Sequence, residues 1–305
     1  MSTPMLVGLG HTGHIHQLSE RIALKQPHRA DDKGFLTENE VFDTLESKPH
    51  SPSLIRSFRR TTSANFLEFL PGDNLETRLR RHQIRDPGTG QVLAVHYQEP
   101  RHLVLRWMIE LTDAVATLES SGYAHADLRP PNLLLDDDDH LKVIDFDSTS
   151  AIGSPILGAQ PPYARVLGDG EGAERGSFGD YGPRTEQFAI GSILYFLTRG
   201  FEPYDNEWFG KHHGPKTVDL LQEMKFPETD GGEFDMVIRK CWFGKYGSVQ
   251  ELNQDVIQLA RDTDVCLAQS MQEDVFRARQ RECEQLLRDG ILDAVPRCLL
   301  CQRKS

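Results

Sequence analysis

The residue types best suited to chemistry in this 305-residue chain occur together near its middle. Asp127 is followed five positions later by Asn132 and eighteen positions later by Asp145, and each stands next to an apolar stretch. A carboxylate can accept a proton from a hydroxyl, and carboxylate and amide oxygens are ligands for hard cations such as Mg²⁺. Because Asp and Asn are also common in turns and caps, it is the joint spacing that favours a chemical role.

Two predicted elements place these residues close together. Apolar residues recur at helical period from 103 to 118, which predicts a helix over 101–122 that ends at Gly122. Two short apolar runs at 132–135 and 141–144 predict a β-hairpin with Asn132 at one end and Asp145 just past the other. The hairpin turn contains four consecutive Asp residues, 136–139, without the ligand spacing of a cation site, so we expect it to be solvated.

The remaining pattern predicts a small β-rich part followed by a larger helical part. Residues 5–70 contain short β-prone pieces and one helical stretch at 38–46. A short helix is predicted at 75–82, a polar loop at 85–91, and a long exposed loop at 148–182, where Gly, Pro and Asp are frequent. Further helices are predicted over 185–198, 218–224, 234–242 and 249–262, followed by a charged, helix-prone tail from about residue 266.

The central polar residues lie within two motifs. The stretch His125-Ala126-Asp127-Leu128-Arg129-Pro130-Pro131-Asn132 resembles the catalytic loop of eukaryotic protein kinases, and Asp145-Phe146-Asp147 resembles the metal-binding motif written D-F-G in that family. The resemblance implies that Asp127 is the catalytic base and that Asn132 and Asp145 hold Mg²⁺. Arg129 lies where most serine/threonine kinases carry Lys and some tyrosine kinases carry Arg, and either cation would steady the γ-phosphate.

Two upstream segments add to this resemblance. The segment Gly8-Leu9-Gly10-His11-Thr12-Gly13-His14-Ile15 resembles the family's glycine-rich loop, in which missing Cβ atoms let the backbone close over phosphates. Twelve residues later, Ile22-Ala23-Leu24-Lys25 resembles the V-A-I-K strand, whose Lys contacts the α- and β-phosphates. Glu38, which begins the predicted helix, is the favoured ion-pair partner of Lys25, with Glu40 as the alternative.

The resemblance also implies a complete nucleotide pocket. Leu67 would be the gatekeeper, residues 68–70, from Glu68 to Leu70, would form the hinge that binds adenine through backbone groups, and Asp73 or Asn74 would lie near the ribose. The base would be held between three apolar side chains, Ile15, Ala23 and Leu134. The implied cofactors are ATP and Mg²⁺.

These matches extend over about residues 5–262, and in this range the sequence resembles divergent, fungal-type serine/threonine kinase-like proteins. They imply an α+β, two-lobed protein-kinase-like fold over 1–265, with a small β-rich N-lobe with one helix (about 1–70), a larger mainly helical C-lobe (about 71–265) and a charged helical tail over 266–305. The implied activity is transfer of the γ-phosphoryl group of ATP to Ser or Thr hydroxyls of proteins.

Several positions depart from the family pattern. Ala126 replaces the Arg that usually precedes the catalytic Asp, Asp147 replaces the Gly of D-F-G, and Glu186 replaces the Asp that usually begins the large C-lobe helix. The segment 160–165 offers no Glu for the buried ion pair that normally supports the substrate-positioning loop. The changes at Ala126, at Asp147 and in segment 160–165 favour a second hypothesis, a pseudokinase that acts as a nucleotide-binding or scaffolding module.

Composition limits the other function classes. The chain has 34 Lys and Arg against 46 Asp and Glu, a net charge of −12, which argues against a nucleic-acid partner. Its longest apolar run, 188–197, is about half the ~20 residues that span a bilayer, so we expect no membrane insertion and no secretion. Five cysteines, with a lone C-x-x-C at 298–301, favour a reducing, intracellular compartment, cytoplasmic or nuclear, and disfavour a zinc site. The expected partners are ATP and a protein substrate, and the oligomeric state stays open.

Overall fold

Five antiparallel strands form a sheet in the first part of the chain. The computed structural model describes residues 4–10, 12–29, 31–48, 50–158 and 160–295. The strands are β1 (Met5–Leu9), β2 (Gly13–Gln17), β3 (Ile22–Pro27), β4 (Ser57–Arg60) and β5 (Asn65–Glu68), in the sheet order β1-β2-β3-β5-β4. In β3, alternate side chains point to opposite faces of the sheet, so Ala23 and Lys25 share one face and Ile22 and Leu24 the other.

The helix of the small lobe, α1 (Lys33–Glu46), begins five residues before the predicted start at 38. Its N-cap is Asp32, whose carboxylate accepts a hydrogen bond from the amide of Phe35 at 3.1 Å. The sequence prediction was therefore wrong about its first residue. Glu38 lies in the middle of the helix, on the buried stripe that also carries Val41 and Phe42.

The second part of the chain is mainly helical, as predicted. Its longer helices are α3 (Arg101–Ser120), α4 (Pro183–Arg199), α5 (His213–Gln222), α6 (Glu233–Trp242) and α7 (Val249–Ala260), preceded by the short α2 (Leu75–Arg80). The helix α4 starts with a Pro at its first position and stops at Gly200, whose φ of 79° is a left-handed conformation that favours glycine. Together with the sheet, these helices confirm the α+β, two-lobed fold class.

Short hairpins complete the larger lobe. The predicted hairpin around the acidic turn is confirmed as β9 (Leu133–Leu135) paired with β10 (Leu141–Val143). The predicted polar loop at 85–91 was only partly correct, because β6 (Gln83–Arg85) and β7 (Val92–Val95) pair across it and leave 86–91 as their turn. Two-residue strands β8 (Tyr123–Ala124) and β11 (Ser150–Ala151) also pair. Beyond β11, the segment to residue 182 is mostly irregular, as expected, with one 3₁₀ turn at Asp169–Glu174.

Two apolar clusters lie on opposite faces of the small sheet. The main cluster continues from Ala23 and Leu67 on the inner face, through α1 and Phe146, into the helices of the larger lobe. The other cluster covers the outer face, where Ile22, Leu24 and other sheet residues meet side chains from the end of the chain. The inner strands β3 and β5 are thus covered on both faces, whereas the edge strand β1 is mostly exposed.

The tail supplies that outer layer. Its helices are α8 (Glu273–Arg288) and α9 (Ile291–Ala294). Phe276 of α8 lies 5.7 Å from the ring of Phe58 in β4, and the guanidinium of Arg56 lies 4.2 Å from its ring centre. Just before α8, the amide of Ala268 donates to Glu110 of α3 at 3.0 Å. The described part of the tail therefore contacts both lobes. The boundary at residue 265 stays a prediction. The C-x-x-C at 298–301 lies outside the described residues.

Removing the Phe276 ring should loosen this layer. We expect Phe276→Ala to lower the free energy of unfolding by about 3 kcal/mol, because both the buried ring and its cation–π contact are lost. Urea unfolding of the whole chain measures the change. Val275→Ala on the same helix is the matched control, since Val275 is exposed and should change stability by less than about 0.5 kcal/mol. Equal effects of the two variants would contradict the packing described.

Across the described residues, no helix combines the length and the apolar character that crossing a bilayer requires.

Candidate active site

A cavity of about 560 Å³ lies where the sheet of the small lobe meets the larger lobe. Most residues predicted from the sequence lie in its wall: Gly8, Gly10, Ile15, Ala23, Lys25, Glu38, Leu67, Glu68, Leu70, Asn132, Leu134 and Asp145. The strands and the β9–β10 hairpin bring these side chains together from positions more than a hundred residues apart. A cavity of this size with a few charged groups among apolar walls is typical of a small-molecule site.

Lys25 is the electrostatic centre of the cavity. Its Nζ lies 3.1 Å from Oε1 of Glu38 and 2.8 Å from Oδ1 of Asp145. Both Lys25 and Glu38 are almost fully buried, whereas the Asp145 side chain is 31% exposed. Glu40 is exposed on α1, so the ion-pair partner is Glu38.

The two carboxylates keep this lysine charged. Burial alone would lower the pKa of Lys25, but the negative charges of Glu38 and Asp145 outweigh it and raise the pKa above its ordinary value. Burial alone would likewise raise the pKa of Asp145, and the neighbouring Lys25 lowers it instead. At neutral pH the cavity therefore presents an ammonium group and an ionised carboxylate side by side.

Asp127 and Asn132 are joined directly. The Asn132 side-chain amide donates to the Asp127 backbone oxygen at 2.9 Å and to Oδ2 of the same residue at 2.8 Å. The Nε of Arg129 donates to the same Oδ2 at 3.0 Å. These contacts hold the Asp127 carboxylate next to Asn132, which lines the cavity, whereas Asp127 and Arg129 are not among the lining residues.

A buried carboxylate from α4 supports this loop from below. Glu186 accepts hydrogen bonds from the backbone amides of His125 at 2.9 Å and Ala126 at 3.4 Å. Ala126 has a φ of 70°, a left-handed conformation that costs an L-residue about 1–2 kcal/mol. The two hydrogen bonds therefore help to hold a strained turn just before Asp127.

The charge of Glu186 should make stability depend on pH. Its burial raises the pKa from 4.5 to about 7, so the folded chain holds one more proton than the unfolded chain between these values. The stabilising contribution of this proton is therefore complete below pH 4.5 and is lost as the pH rises through 7. We expect the wild type to lose about 2 kcal/mol between pH 5.5 and pH 8 relative to Glu186→Gln, which has no such proton. Urea unfolding at both pH values measures this, and parallel stability curves for the two proteins would refute it.

Aromatic packing fixes the segment that carries Asp145. Phe146 is fully buried, with its ring centre 5.2 Å from that of Phe42 in α1 and 5.8 Å from that of His125. His125 is itself held by a contact of 2.9 Å between its Nε2 and the carbonyl of Ile144. Phe146 thus links α1 to the loop of Asp127, and the Asp145 side chain projects from between them towards Lys25.

The glycine-rich segment lies over one side of the cavity. Gly8 follows an irregularity in the β1–β2 pairing, and it lines the cavity together with Gly10. Gly13 has a different role. A Cβ placed there would come within 2.2 Å of the carbonyl oxygen of Gln26, so only glycine allows β2 and β3 to approach this closely. The residue at position 11 lies outside the described part of the chain.

The predicted hinge, 68–70, begins at the last residue of β5. Leu67 faces the cavity opposite Ala23, its neighbour in the β3–β5 pairing. The amide of Glu68 donates to the Arg56 carbonyl at 2.9 Å, and the Glu68 carboxylate pairs with Lys142 at 3.0 Å. These bonds hold Glu68 between Arg56 and Lys142. Adenine binding through residues 68–70 stays a prediction.

Comparison with known proteins agrees with this geometry. A model of the protein kinase domain matches residues 6–273. The chain belongs to this family. The kinase domain is 24% identical over 241 residues to the citron rho-interacting kinase of Rattus norvegicus, covering 73% of the chain and 11% of that protein. It is 35% identical over 106 residues to the hormonally up-regulated neu tumor-associated kinase of Homo sapiens, covering 34% of the chain and 15% of that protein.

A third relative is the serine/threonine-protein kinase MRCK gamma of Mus musculus, 27% identical over 140 residues, which covers 42% of the chain and 8% of that protein. The chain thus spans less than a fifth of the length of these three relatives. The predicted resemblance to protein kinases is confirmed, whereas its fungal character stays a prediction.

Segment 160–165, which has no Glu, is held by an ion pair of its Arg and by a hydrogen bond from α4. Arg165 in this segment pairs with Glu171 at 2.5 Å, and Arg184 of α4 contacts the other oxygen of Glu171 at 3.3 Å. Ser192 of α4 donates to the carbonyl of Pro162 at 2.7 Å and anchors the segment from below. The cation lies in the segment and the acid in the following loop.

Sequence reasoning missed several residues of the kinase domain's site. The apolar residues of the cavity wall that were not predicted include Val7, Ile55 and Ile144. Ile144 had a detectable signal, because it ends the second apolar run directly before Asp145. Glu186 was noted as a substitution, but its contact with the 125–126 amides was not predicted. A carboxylate among the apolar residues of α4 was the available signal.

Proposed function

We propose that this kinase domain is an ATP- and Mg²⁺-dependent protein kinase that transfers the γ-phosphoryl group to Ser or Thr hydroxyls of proteins. One observation carries the proposal: Lys25, Glu38 and Asp145 form a charged cluster in the cavity wall, and Asn132, which bonds to Asp127, lies in the same wall. Positioning and electrostatic stabilisation are the main demands of phosphoryl transfer.

The residues fit the magnesium ions that the family implies. Both Asn132 hydrogen bonds are made by its nitrogen, which leaves the carbonyl oxygen as a ligand atom, and the Asp145 carboxylate is partly exposed. Among the described residues, no three His, Cys, Asp or Glu side chains group as a metal site. Two protein ligands still suffice, since Mg²⁺ is usually completed by water and substrate phosphates. Bound there, it would neutralise charge on the phosphates.

We assign the roles of the side chains from their contacts. Lys25, held by Glu38, binds the α- and β-phosphates, and Arg129 steadies the γ-phosphate. Oδ2 of the Asp127 carboxylate accepts both side-chain hydrogen bonds, from Arg129 and Asn132. We therefore assign to Oδ1 the role of orienting the substrate hydroxyl and accepting its proton. Gly8, Gly10 and Gly13 shape the loop above the phosphates, and Ile15, Ala23, Leu67, Leu70 and Leu134 enclose the base next to the backbone of Glu68.

The proposed preference for Ser and Thr is based on relatives that are named as serine/threonine-protein kinases. We also infer an intracellular location, because the described cysteines Cys241, Cys266 and Cys283 are free thiols.

Two observations favour the second candidate, a pseudokinase that binds nucleotide or scaffolds partners. Ala126 removes the cation that would order a phosphorylated loop, and Asp147 adds a carboxylate beside the proposed metal ligand. Neither change removes a group that we assign to the transfer step, so the enzyme is the better supported function.

Purified chain with Mg²⁺ and labelled ATP tests the proposal. We expect label on Ser or Thr of a generic acceptor such as myelin basic protein, and a higher melting temperature with ATP and Mg²⁺. Stabilisation by nucleotide without transfer would refute the enzyme and support the pseudokinase. Absence of both effects would refute nucleotide binding altogether.

A further inference from the structure

Thr12 makes an unusual contact from the tip of the glycine-rich loop. It lies in the turn between β1 and β2, is only 6% exposed, and donates a hydrogen bond from Oγ1 to Oδ2 of Asp147 at 2.9 Å. The two residues are 135 positions apart in sequence. The contact joins the loop of the small lobe to the segment that carries Asp145.

Asp147 can accept this bond only because it departs from the family pattern. Glycine, the family residue at this position, has no side chain to act as acceptor. The other carboxylate oxygen of Asp147 accepts from the hydroxyl of Ser148 at 3.0 Å. The acid is thus oriented by two hydroxyl donors, and one of them is Thr12.

The start of α1 closes the third side of this contact. A Cβ placed on Gly34 would come within 2.6 Å of Cγ2 of Thr12 and 3.2 Å of Cβ of Asp147. A rotation of the Thr12 side chain would relieve the first contact, but it would also move the hydroxyl away from Asp147. Gly34 therefore leaves just enough space for the hydrogen bond to form.

We propose that the Thr12–Asp147 hydrogen bond is a clasp that holds the glycine-rich loop closed over the phosphates of a bound nucleotide. This inference rests on the proposed function. With the clasp formed, the cavity of about 560 Å³ remains beneath the loop, with Gly10, Lys25 and Asp145 in its wall. Thr12 and Asp147 are positioning residues, which retain the nucleotide without taking part in the transfer step.

The clasp completes the attachment of the loop. Its base is already fixed to β3, because Gly13 packs on Gln26 and the amide of His28 donates to the Thr12 carbonyl at 2.9 Å. The side chain of Thr12 adds a connection to the opposite side of the cleft. Loss of that single bond should free the tip while leaving β1 and β2 paired.

Nucleotide release measures the effect directly. Stopped-flow displacement of a fluorescent ADP analogue with Mg²⁺ should show release about tenfold faster in Thr12→Val, because a hydrogen bond to a charged acceptor is lost without change of shape. Thr12→Ser should restore slow release, and Gly34→Ala should speed release without removing either partner. Thr61→Val, in the β4–β5 turn, is the remote control. Asp147→Ala should match Thr12→Val, and the double variant should be no faster than either.

A second measurement separates the clasp from the proposed function. In nucleotide-free protein, amide hydrogen exchange over the loop tip, residues 10–12, should be faster in Thr12→Val than in Thr12→Ser. Unchanged exchange, or additive effects of the two single variants on release, would overturn the clasp. Absence of phosphoryl transfer with the expected release rates would refute the enzyme but leave the clasp supported.

Discussion

Asp127→Asn should reduce the rate of phosphoryl transfer about a thousandfold and leave nucleotide affinity within about twofold of the wild type. The substitution keeps the size of the side chain and an oxygen that can accept from Arg129. It removes the carboxylate that orients the substrate hydroxyl and takes its proton, a contribution of about 10²–10⁴ in rate. The loss should therefore appear in kcat, whereas KM for ATP should change little.

The matched control is Asp138→Asn in the acidic turn of the β9–β10 hairpin. Asp138 lies in the turn of the hairpin between Asn132 and Asp145. Because its side chain is exposed, the same chemical change there should leave transfer unchanged. Initial rates with labelled ATP at several ATP concentrations give both constants. A residual rate above about a tenth of the wild type in Asp127→Asn would refute the role of Asp127.

Glu38→Ala should affect both stability and transfer. Glu38 is buried and pairs with Lys25 at 3.1 Å. Removing one partner of a buried ion pair costs about 3–5 kcal/mol, because the other charge stays buried without compensation. Lys25 keeps its contact of 2.8 Å with Asp145, so we expect the lower end, about 3 kcal/mol. We also expect transfer to fall about a hundredfold as Lys25 loses its fixed position.

Glu40→Ala is the matched control for this prediction, because Glu40 lies two positions further along α1 and is exposed. It should change the free energy of unfolding by less than about 0.5 kcal/mol. Urea unfolding and transfer assays on the two variants give the comparison. If Glu40→Ala impaired transfer as much as Glu38→Ala, the assignment of the ion pair would be wrong.

Local motifs allowed most of the site to be predicted from the sequence. The spacing of Asp127, Asn132 and Asp145, and the order of the glycine-rich and Lys25 segments before them, predicted which residues would meet. The β9–β10 hairpin and α3 were predictable because their apolar patterns are short-range and strongly periodic. The start of α1 was missed because an Asp32 cap, a Lys and a Gly precede its apolar stripe, and such polar residues carry little periodic signal.

The contacts between distant segments were decided only by the tertiary structure. The choice of Glu38 over Glu40 depends on which side of α1 faces the sheet, and Glu186 supports the Asp127 loop only because α4 passes beneath it. The sequence by itself determined the kinase motifs, the fold class and the residues available for phosphoryl transfer. The contacts of Thr12 with Asp147 and of Phe276 with Phe58 were decided only by the packing of the lobes and the tail. Residues far apart in the sequence meet only where whole helices and strands pack together, and local sequence patterns do not determine that packing.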